Sequence, residues 1–346
     1  MQISKKRFYD IFKKFPKAEI HIHLMGIIKP NTVFNLIKKN NVTTQHKTKQ
    51  QIKKLFQINT LSEFIQLFLF IQDCFIDADD FRLVFDDLRE YYLKNNVKYF
   101  EMNFAPSKFL QNGLLFKNMV QVLSEEIKKC ERQDKVKIRL LMDVSRTFGL
   151  ENAKHNLDLV LANRIPEVIG IDLGGDEEKG PAKDFGPVFR KAIRYGLKVV
   201  AHAGEDQDSF SIWNTLKYLK AERIGHGTSA MHDSKLMDYI RDHQIPLEIN
   251  PTSNVFTGKY VKRISEHPIR QFFDHGIIVT LNTDDPGIFS IDLLDEYYNL
   301  YEYLNFSIPQ LIQICKNNWQ VTFLPDDEKQ KKIQEIDKLA SIAQVV

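Results

Sequence analysis

A chain of 346 residues is long enough for one large domain or two, and 43% hydrophobic residues is normal for a globular core. The formal net charge of +3 gives no strong basic bias toward nucleic acid. We interpret the basic run 38–54 as a solvated helix face or a lid loop, because no nucleic-acid-binding module accompanies it. Three scattered cysteines without a C-x-x-C pair, no apolar signal segment and no run of transmembrane length favour a soluble cytoplasmic protein without membrane or nucleic-acid partners.

The first predicted elements are a helix over residues 5–14 and an alternating strand over residues 18–24. His21 and His23 are two apart in that strand, so their side chains point to the same side of it. Two such imidazoles can clasp one metal ion, and without a metal each buried ring needs other hydrogen-bond partners. The alternative is a pair of satisfied core histidines. Residues 31–95 predict helices, in which the aromatic-rich stretch 61–75 fits core packing or a lid over an aromatic substrate.

From residue 97 onward, strand patterns alternate with helical ones. The later predicted strands cover residues 97–105, 137–144, 168–173, 197–201, 222–227, 245–250 and 276–282. Predicted helices cover residues 116–132, 151–164 and 185–195, and a charged helical tail covers 308–343. With the first strand this makes eight βα-like units, which indicates a closed (β/α)8 barrel of the TIM type with extra helices over its C-terminal mouth. No linker or repeat interrupts the sequence, so we expect one domain over residues 1–346.

Polar residues cluster where the predicted strands end. In a (β/α)8 barrel these ends face one mouth, where active sites lie. The residues that fall there are His21, His23, Asp172, Gly175, His202, Glu205, His226, Asp284 and Asp285. Three histidines and a carboxylate can hold one divalent ion and leave a position for water, and histidine-rich ligation suits zinc better than magnesium or calcium. The sequence therefore predicts a mononuclear zinc centre, with Glu205 placed after a glycine turn to exchange a proton.

Six strings in the sequence together resemble the adenosine deaminase family of the amidohydrolase superfamily. They are residues 16–24, 170–177, 202–205, 223–227, 250–254 and 281–286, and the resemblance extends from about residue 15 to residue 329. It implies a zinc-dependent hydrolytic deamination at C6 of an adenosine-type purine nucleoside, which yields an inosine-type product and ammonia. It also implies one Zn2+ per chain and a small-molecule purine nucleoside as the substrate.

The resemblance implies a role for each matching residue. The matches to the zinc ligands are His21, His23, His202 and Asp284. Glu205 matches the proton donor to ring nitrogen N1, and His226 matches the residue that orients the attacking water and helps to deprotonate it. The remaining matches are Asp285 to the partner of N7, Gly175 to the backbone amide that meets N3, and Asp172 to a carboxylate behind the metal ligands. Attack at C6 pushes charge onto N1, so Glu205 needs a raised pKa to act as a protonated acid.

Three features depart from the family pattern, and one of them is the aromatic-rich segment 64–75, which lies where the family builds its substrate-covering helices. Met25 stands where the family has an acidic residue that receives the ribose 5′-hydroxyl, and Asn103 stands where many members have a basic residue. An apolar thioether favours a 5′-modified adenosine, such as methylthioadenosine or aminodeoxyfutalosine, over adenosine. In the alternative interpretation Met25 only fills space and adenosine is the substrate. The sequence predicts no oligomeric state.

Two other classes of function remain open. A non-purine amidohydrolase with one metal uses a similar ligand set, whereas two-metal members commonly place a lysine at the end of strand four, where this chain has Gly174 and Gly175. A nucleoside-binding protein without activity is the other class. The presence of both Glu205 and His226 beside the predicted ligands argues against a mere binder.

Overall fold

Eight parallel strands form a barrel in the computed structural model, which describes residues 3–342 apart from the side chains of residues 61 and 62. The strands are β1 (Lys17–His23), β2 (Val97–Phe104), β3 (Lys137–Asp143), β4 (Val168–Asp172), β5 (Lys198–Ala203), β6 (Arg223–His226), β7 (Leu247–Ile249) and β8 (Val279–Leu281). Each strand pairs in parallel with the next one along the chain. The predicted (β/α)8 architecture is confirmed. The predicted domain includes residues 1, 2 and 343–346, and the predicted tail helix ends at residue 343. These residues lie outside the described part of the chain.

Helices surround the strands and extend the loops at their carboxyl ends. In the described chain they are α1 (Lys5–Phe12), α2 (Pro30–Lys39), α3 (Lys49–Leu55), α4 (Leu61–Asp73), α5 (Phe81–Asn95), α6 (Ser107–Gln111), α7 (Phe116–Asp134), α8 (Gly149–Ala162), α9 (Gly186–Arg194), α10 (Ser209–Asn214), α11 (Ser234–Asp242), α12 (Pro251–Thr257), α13 (Ile269–Asp274), α14 (Pro286–Phe289), α15 (Leu293–Tyr303), α16 (Ile308–Gln320) and α17 (Asp326–Ile342). The basic run 38–54 spans the end of α2, a loop and α3, as a solvated helix face would. Within residues 3–342, every helix falls short of the length and apolarity needed to cross a bilayer.

The barrel closes between β8 and β1, and buried amide side chains hold this seam. Ile22 bridges Asp284 in parallel just past β8, and the His23 backbone N–H donates to the Asp284 carbonyl oxygen at 2.9 Å. Asn318 of α16 is fully buried, and its Nδ2 donates to the carbonyl oxygens of Ala18 at 3.1 Å and Leu281 at 2.9 Å. Because the bridge between Ile22 and Asp284 lies at the carboxyl ends of β1 and β8, it brings Asp284 beside the histidines of β1.

The last two strands are shorter than the sequence predicts. The backbone N–H of Ile277 donates to Phe272, and that of Ile245 donates to Ile240. Both residues therefore end the preceding helices α13 and α11 with C-terminal caps, and the strands start two residues later. The predicted tail helix is interrupted as well, because α16 ends at Gln320 and α17 begins directly after Pro325, a residue that favours the start of a helix over its interior.

Candidate active site

The carboxyl ends of β1, β5, β6 and β8 bring four buried side chains to one point. Ligand-type atoms of His21, His202, His226 and Asp284 all lie within 4.8 Å of one another. His23 joins them, since its Nε2 is 3.2 Å from Nε2 of His202 and 3.1 Å from Oδ1 of Asp284. Both His226 and Asp284 have positive φ angles, +63° and +65°, an uncommon backbone conformation outside glycine that occurs at helix ends and at functional sites.

The spacing of these atoms fits a small tetrahedral ion. Two nitrogens at zinc-bond distance from one tetrahedral ion lie about 3.3 Å apart. The observed separations of His23 Nε2 from His202 Nε2, 3.2 Å, and of His21 Nε2 from Asp284 Oδ1, 3.5 Å, are close to that value. His21 Nε2 and Asp284 Oδ1 are buried without a hydrogen-bond partner among the described residues. Since orphaned buried polar atoms are costly, a metal ion is the partner that this donor set fits.

Carboxylates stand behind two of the histidines. His21 Nδ1 lies 2.8 Å from Glu248 Oε2, and His202 Nδ1 lies 2.8 Å from Asp172 Oδ2. Glu248 forms a hydrogen bond that holds the proton of His21 on Nδ1, and the charge of Asp172 favours the same position in His202, so that the lone pair of Nε2 faces the cluster in both rings. A Cβ at Gly225 would come within 2.6 Å of the His21 ring, so this glycine leaves room for the ligand. Asp172, predicted as a carboxylate behind the ligands, lies in that position.

His226 has a different environment behind its ring. Its Nδ1 accepts hydrogen bonds from the side-chain amides of Asn254 at 2.9 Å and Asn250 at 3.3 Å. Its Nε2 faces the cluster, 3.5 Å from Glu205 Oε2 and 3.8 Å from Asp284 Oδ2. Burial lowers the pKa of His226 well below its ordinary value, so the ring is neutral near pH 7.

Glu205 lies beside His226 with properties that suit a proton donor. Burial raises the pKa of Glu205 to about 8, and the negative charge of Asp284 adds to the rise. The hydroxyl of Thr257 donates to Glu205 Oε1 at 2.7 Å, which leaves Oε2 directed toward His226. The carboxyl group is therefore protonated and held in one orientation at neutral pH, as a general acid requires.

Asp285 and Met25 lie on two segments that pack tightly against each other. A Cβ at Gly26 would come within 2.1 Å of Asp285 Oδ1, so the backbone after β1 touches this carboxyl group directly. Burial raises the pKa of Asp285 to about 7, with a further contribution from Asp284. Asp285 Oδ1 is buried without a hydrogen-bond partner in the described chain. Met25, next to Gly26, is 3% exposed. The structure thus brings the predicted Asp285 into contact with the segment that carries Met25.

Gly175 and its neighbours form the loop after β4. Gly175 is exposed and has φ +98°, and a Cβ there would come within 2.3 Å of Thr147 Oγ1, so glycine is required for both backbone and space. Two residues further on, buried Glu177 accepts the backbone N–H groups of Gly204 and Glu205, both at 2.9 Å. Glu177 therefore joins the loop of Gly175 to the turn that carries Glu205.

Four residues of the site were not assigned by the sequence analysis. They are Glu177, Glu248, Ser253, whose Oγ donates to Asp284 Oδ2 at 2.8 Å, and Thr257. Glu177 and Ser253 do lie inside two of the family-like strings, 170–177 and 250–254. Glu248 and Thr257 lie on either side of the second string. Their position near the end of β7 was therefore the available signal for both residues.

Aromatic side chains pack above this group of loops. The ring of Phe64 in α4 stacks on Phe289 at a centroid distance of 5.6 Å and contacts Phe256 at 6.1 Å. Phe256 and Phe289 follow the ends of β7 and β8, and their centroids are 5.1 Å apart. The aromatic stretch of α4 therefore packs against the loops that follow β7 and β8, and its role as a lid over an aromatic substrate stays a prediction.

Comparison with known proteins places the chain in a family. A family model described as adenosine deaminase matches residues 16–339. An aminodeoxyfutalosine deaminase of Streptomyces avermitilis is 32% identical over 324 residues, which cover 93% of this chain and 90% of the relative. An adenine deaminase of Psychrobacter cryohalolentis is 30% identical, covering 95% of this chain and 98% of the relative. An adenosine deaminase of Shewanella loihica is 32% identical, covering 91% and 96%.

The fold agrees with the sequence relatives. The crystal structure of an adenine deaminase from Arthrobacter aurescens superposes with a TM-score of 0.90 at 25% identity, covering 94% of this chain and 99% of that chain. The relatives are thus named for three different purine substrates, while the reaction type, deamination, is common to all of them. With a family match over nearly the whole chain, a (β/α)8 barrel and a buried histidine and aspartate cluster that can hold a metal, this chain belongs to the adenosine deaminase family and is a purine deaminase.

Proposed function

We propose that this protein is a zinc-dependent hydrolase that removes the 6-amino group of an adenosine-type purine nucleoside. The observation that carries the proposal is the position of Glu205 Oε2, 3.5 Å from His226 Nε2 and next to the cluster of His21, His202 and Asp284. A protonated acid beside a metal-binding group is what C6 deamination of a purine needs. We also propose that the chain acts as one catalytic domain, since Phe12 of α1 and Asn318 of α16 both form hydrogen bonds with β1 of the same barrel.

The proposed metal ligands are His21, His23, His202 and Asp284. Their chemistry suits zinc, because three imidazoles and one carboxylate form a borderline-soft donor set of the usual number. When bound there, zinc would lower the pKa of a water molecule and so supply hydroxide at neutral pH. As a Lewis acid it would also polarise the bonds at the reacting carbon. Glu248, Asp172 and Ser253 hold three of the four proposed ligands in place through the contacts described above.

In the proposed reaction, a water oxygen forms a bond to C6 and Glu205 gives its proton to N1. The water gives one proton to solvent on attack, and the C6–N bond then breaks, so that the amino group leaves as ammonia with a proton taken from solvent. The hydroxyl proton of the adduct returns to Glu205, so that the product carries a carbonyl at C6 and hydrogen on N1. Asp285 is proposed to bind N7, and the backbone N–H of Gly175 is proposed to bind N3, so that three edges of the purine are held at once.

The substrate's sugar end is proposed to meet Met25. This side chain is buried and apolar, and the segment that carries it touches Asp285 through Gly26. A thioether is a weak acceptor, so it does not favour a 5′-hydroxyl over an apolar 5′ substituent. This observation favours a second candidate, a deaminase of 5′-modified adenosines such as aminodeoxyfutalosine or methylthioadenosine, and one relative is named for the first of these.

An ammonia-release screen tests the proposal. The zinc-loaded protein is assayed with adenosine, adenine, methylthioadenosine, aminodeoxyfutalosine and adenosine monophosphate. We expect ammonia release from at least one nucleoside. The specificity constants then show whether a 5′-modified nucleoside or adenosine is the preferred substrate. The variant Met25→Asp should shift the preference toward adenosine, because a carboxylate accepts a hydrogen bond from the 5′-hydroxyl. Turnover of free adenine alone, or of none of the five, contradicts the proposal.

A further inference from the structure

We propose that His226 presents a protonated Nε2 to the active-site mouth, and that Asn254 and His267 fix this tautomer from behind. In consequence His226 donates a hydrogen bond to the oxygen that attacks C6 and does not take a proton from it. The statement about the attacking oxygen rests on the proposed deamination, whereas the statement about the tautomer does not. The inference departs from the deprotonating role that the family resemblance implies for His226.

His267, a buried histidine that precedes α13, orients the side-chain amide of Asn254. The backbone N–H of Ile269 donates to His267 Nδ1 at 3.1 Å, so Nδ1 carries a lone pair. Burial lowers the pKa of His267 to about 3, so the ring is neutral and its hydrogen is on Nε2. His267 Nε2 lies 3.1 Å from Asn254 Oδ1 and donates to it. The amide group of Asn254 is thereby oriented, and its Nδ2 donates to His226 Nδ1 at 2.9 Å.

Asn250 independently indicates the same tautomer of His226. Its Nδ2 lies 3.4 Å from the backbone carbonyl oxygen of Glu248 and 3.3 Å from His226 Nδ1. If the amide were reversed, its oxygen would face that carbonyl oxygen, and two acceptors would oppose each other. The backbone at Glu248 therefore also requires an N–H donor at His226 Nδ1. Two fixed backbone groups, one N–H and one carbonyl, lead to the same tautomer, in which neutral His226 carries its hydrogen on Nε2.

This tautomer decides between two sets of metal ligands. The group of His21, His202, His226 and Asp284 is compact, but a protonated Nε2 cannot bind a metal. His21 and His202 have the opposite arrangement, because Glu248 and Asp172 hold hydrogen on their Nδ1 atoms. His23, whose Nε2 lies 3.1 Å from Asp284 Oδ1, is then the fourth ligand. The imidazole N–H of His226 remains free to act beside the metal as a preorganised donor.

Imidazole nitrogen NMR tests the tautomer directly. Protein labelled with 15N at histidine is recorded metal-free and with one zinc per chain, and the His226 signals are assigned by their loss in His226→Gln. We expect hydrogen on Nε2 and a lone pair on Nδ1 of His226 in both states. His21 and His202 serve as internal references with hydrogen on Nδ1. Hydrogen on Nδ1 of wild-type His226 overturns the inference, and this result needs no substrate.

A reversal of hydrogen-bond polarity at His226 Nδ1 tests the relay, which is the chain of hydrogen bonds from His267 through Asn254 to His226. Asn254→Asp places a carboxylate acceptor at His226 Nδ1, so the hydrogen should move to Nδ1, with zinc still bound at one per chain. We expect kcat to fall about a hundredfold, in the range found when one preorganised donor is removed. Asn118→Asp makes the same charge change at an exposed position of α7 and should alter neither signal nor kcat. An unmoved hydrogen in Asn254→Asp overturns the relay, and an unchanged kcat with a moved hydrogen overturns the donor role. Failure of the wild type to deaminate any purine overturns only the proposed function.

Discussion

The two sides of the active site differ in what stands behind their reactive groups. On the metal side, His21 and His202 are each backed by a buried carboxylate, Glu248 or Asp172. On the proton side, Glu205 and His226 are backed by neutral groups, the hydroxyl of Thr257 and the amides of two asparagines. A carboxylate strengthens an imidazole as a ligand, whereas an amide donor keeps it neutral and turns its N–H toward the site. One residue type, histidine, is thus given two tasks by its partners.

Removal of a proposed ligand should produce the largest effect on the metal side. Asp284→Ala deletes the one carboxylate of the proposed set, and we expect loss of bound zinc and of measurable turnover with the barrel still folded. Elemental analysis and circular dichroism give the metal content and the fold. His226→Gln is the matched control from the proton side, and it should keep one zinc per chain. Full zinc content in Asp284→Ala contradicts the ligand assignment.

Replacement of the proposed acid should have the next largest effect, and only on the proton side. Glu205→Gln keeps the shape but cannot pass a proton, so kcat should fall roughly a hundredfold or more, as for loss of a general acid. The zinc content should stay unchanged. Because the pKa of Glu205 is raised, the acid is protonated below that pKa, and wild-type activity should decline as the pH rises through it. A variant with near wild-type kcat would sink this assignment.

A weaker effect is expected when the charge behind a metal ligand is neutralised. Glu248→Gln replaces the carboxylate at His21 Nδ1 by a neutral amide, which makes the metal side resemble the proton side. Partners of this kind are worth about 10- to 100-fold in metal affinity. A competition titration with a zinc chelator measures the change. Glu167→Gln, at a buried carboxylate bound to Ser124 away from the site, is the control. Equal zinc affinity in the two variants contradicts the account.

The smallest effect should come from Glu177, which holds the backbone that carries the acid and also accepts a hydrogen bond from the hydroxyl of Ser211. Glu177→Gln places an amide N–H group against one of the two backbone N–H groups, those of Gly204 and Glu205, that the carboxylate accepts. We expect kcat to fall about tenfold with little change in KM, because the acid is displaced by a fraction of an ångström. In a Glu205→Gln background the same change should add less than about twofold, since both act through one group. Additive losses in that double-mutant cycle show a general structural role instead.

Much of this site was available from the sequence, and the reason is the barrel itself. A (β/α)8 fold brings all strand ends to one mouth, so His21, His202 and Asp284 meet once the strands are recognised. The starts of β7 and β8 were placed wrongly, since Ile245 and Ile277 cap helices and carry the same apolar pattern as strand residues. The partner relations could not be predicted. Whether His267 reaches Asn254, or Glu177 reaches the amide of Glu205, depends on loop geometry that no residue pattern encodes.

Ammonia release as a function of added zinc tests the central claim most directly. Protein stripped of metal by a chelator is titrated with zinc, and the deamination rate of its best nucleoside substrate is followed. The account predicts no turnover without metal and a linear rise that ends sharply at one equivalent per chain. Full turnover by the metal-free protein, or a rise that ends only at two equivalents, would contradict a deaminase with a single zinc held by His21, His23, His202 and Asp284.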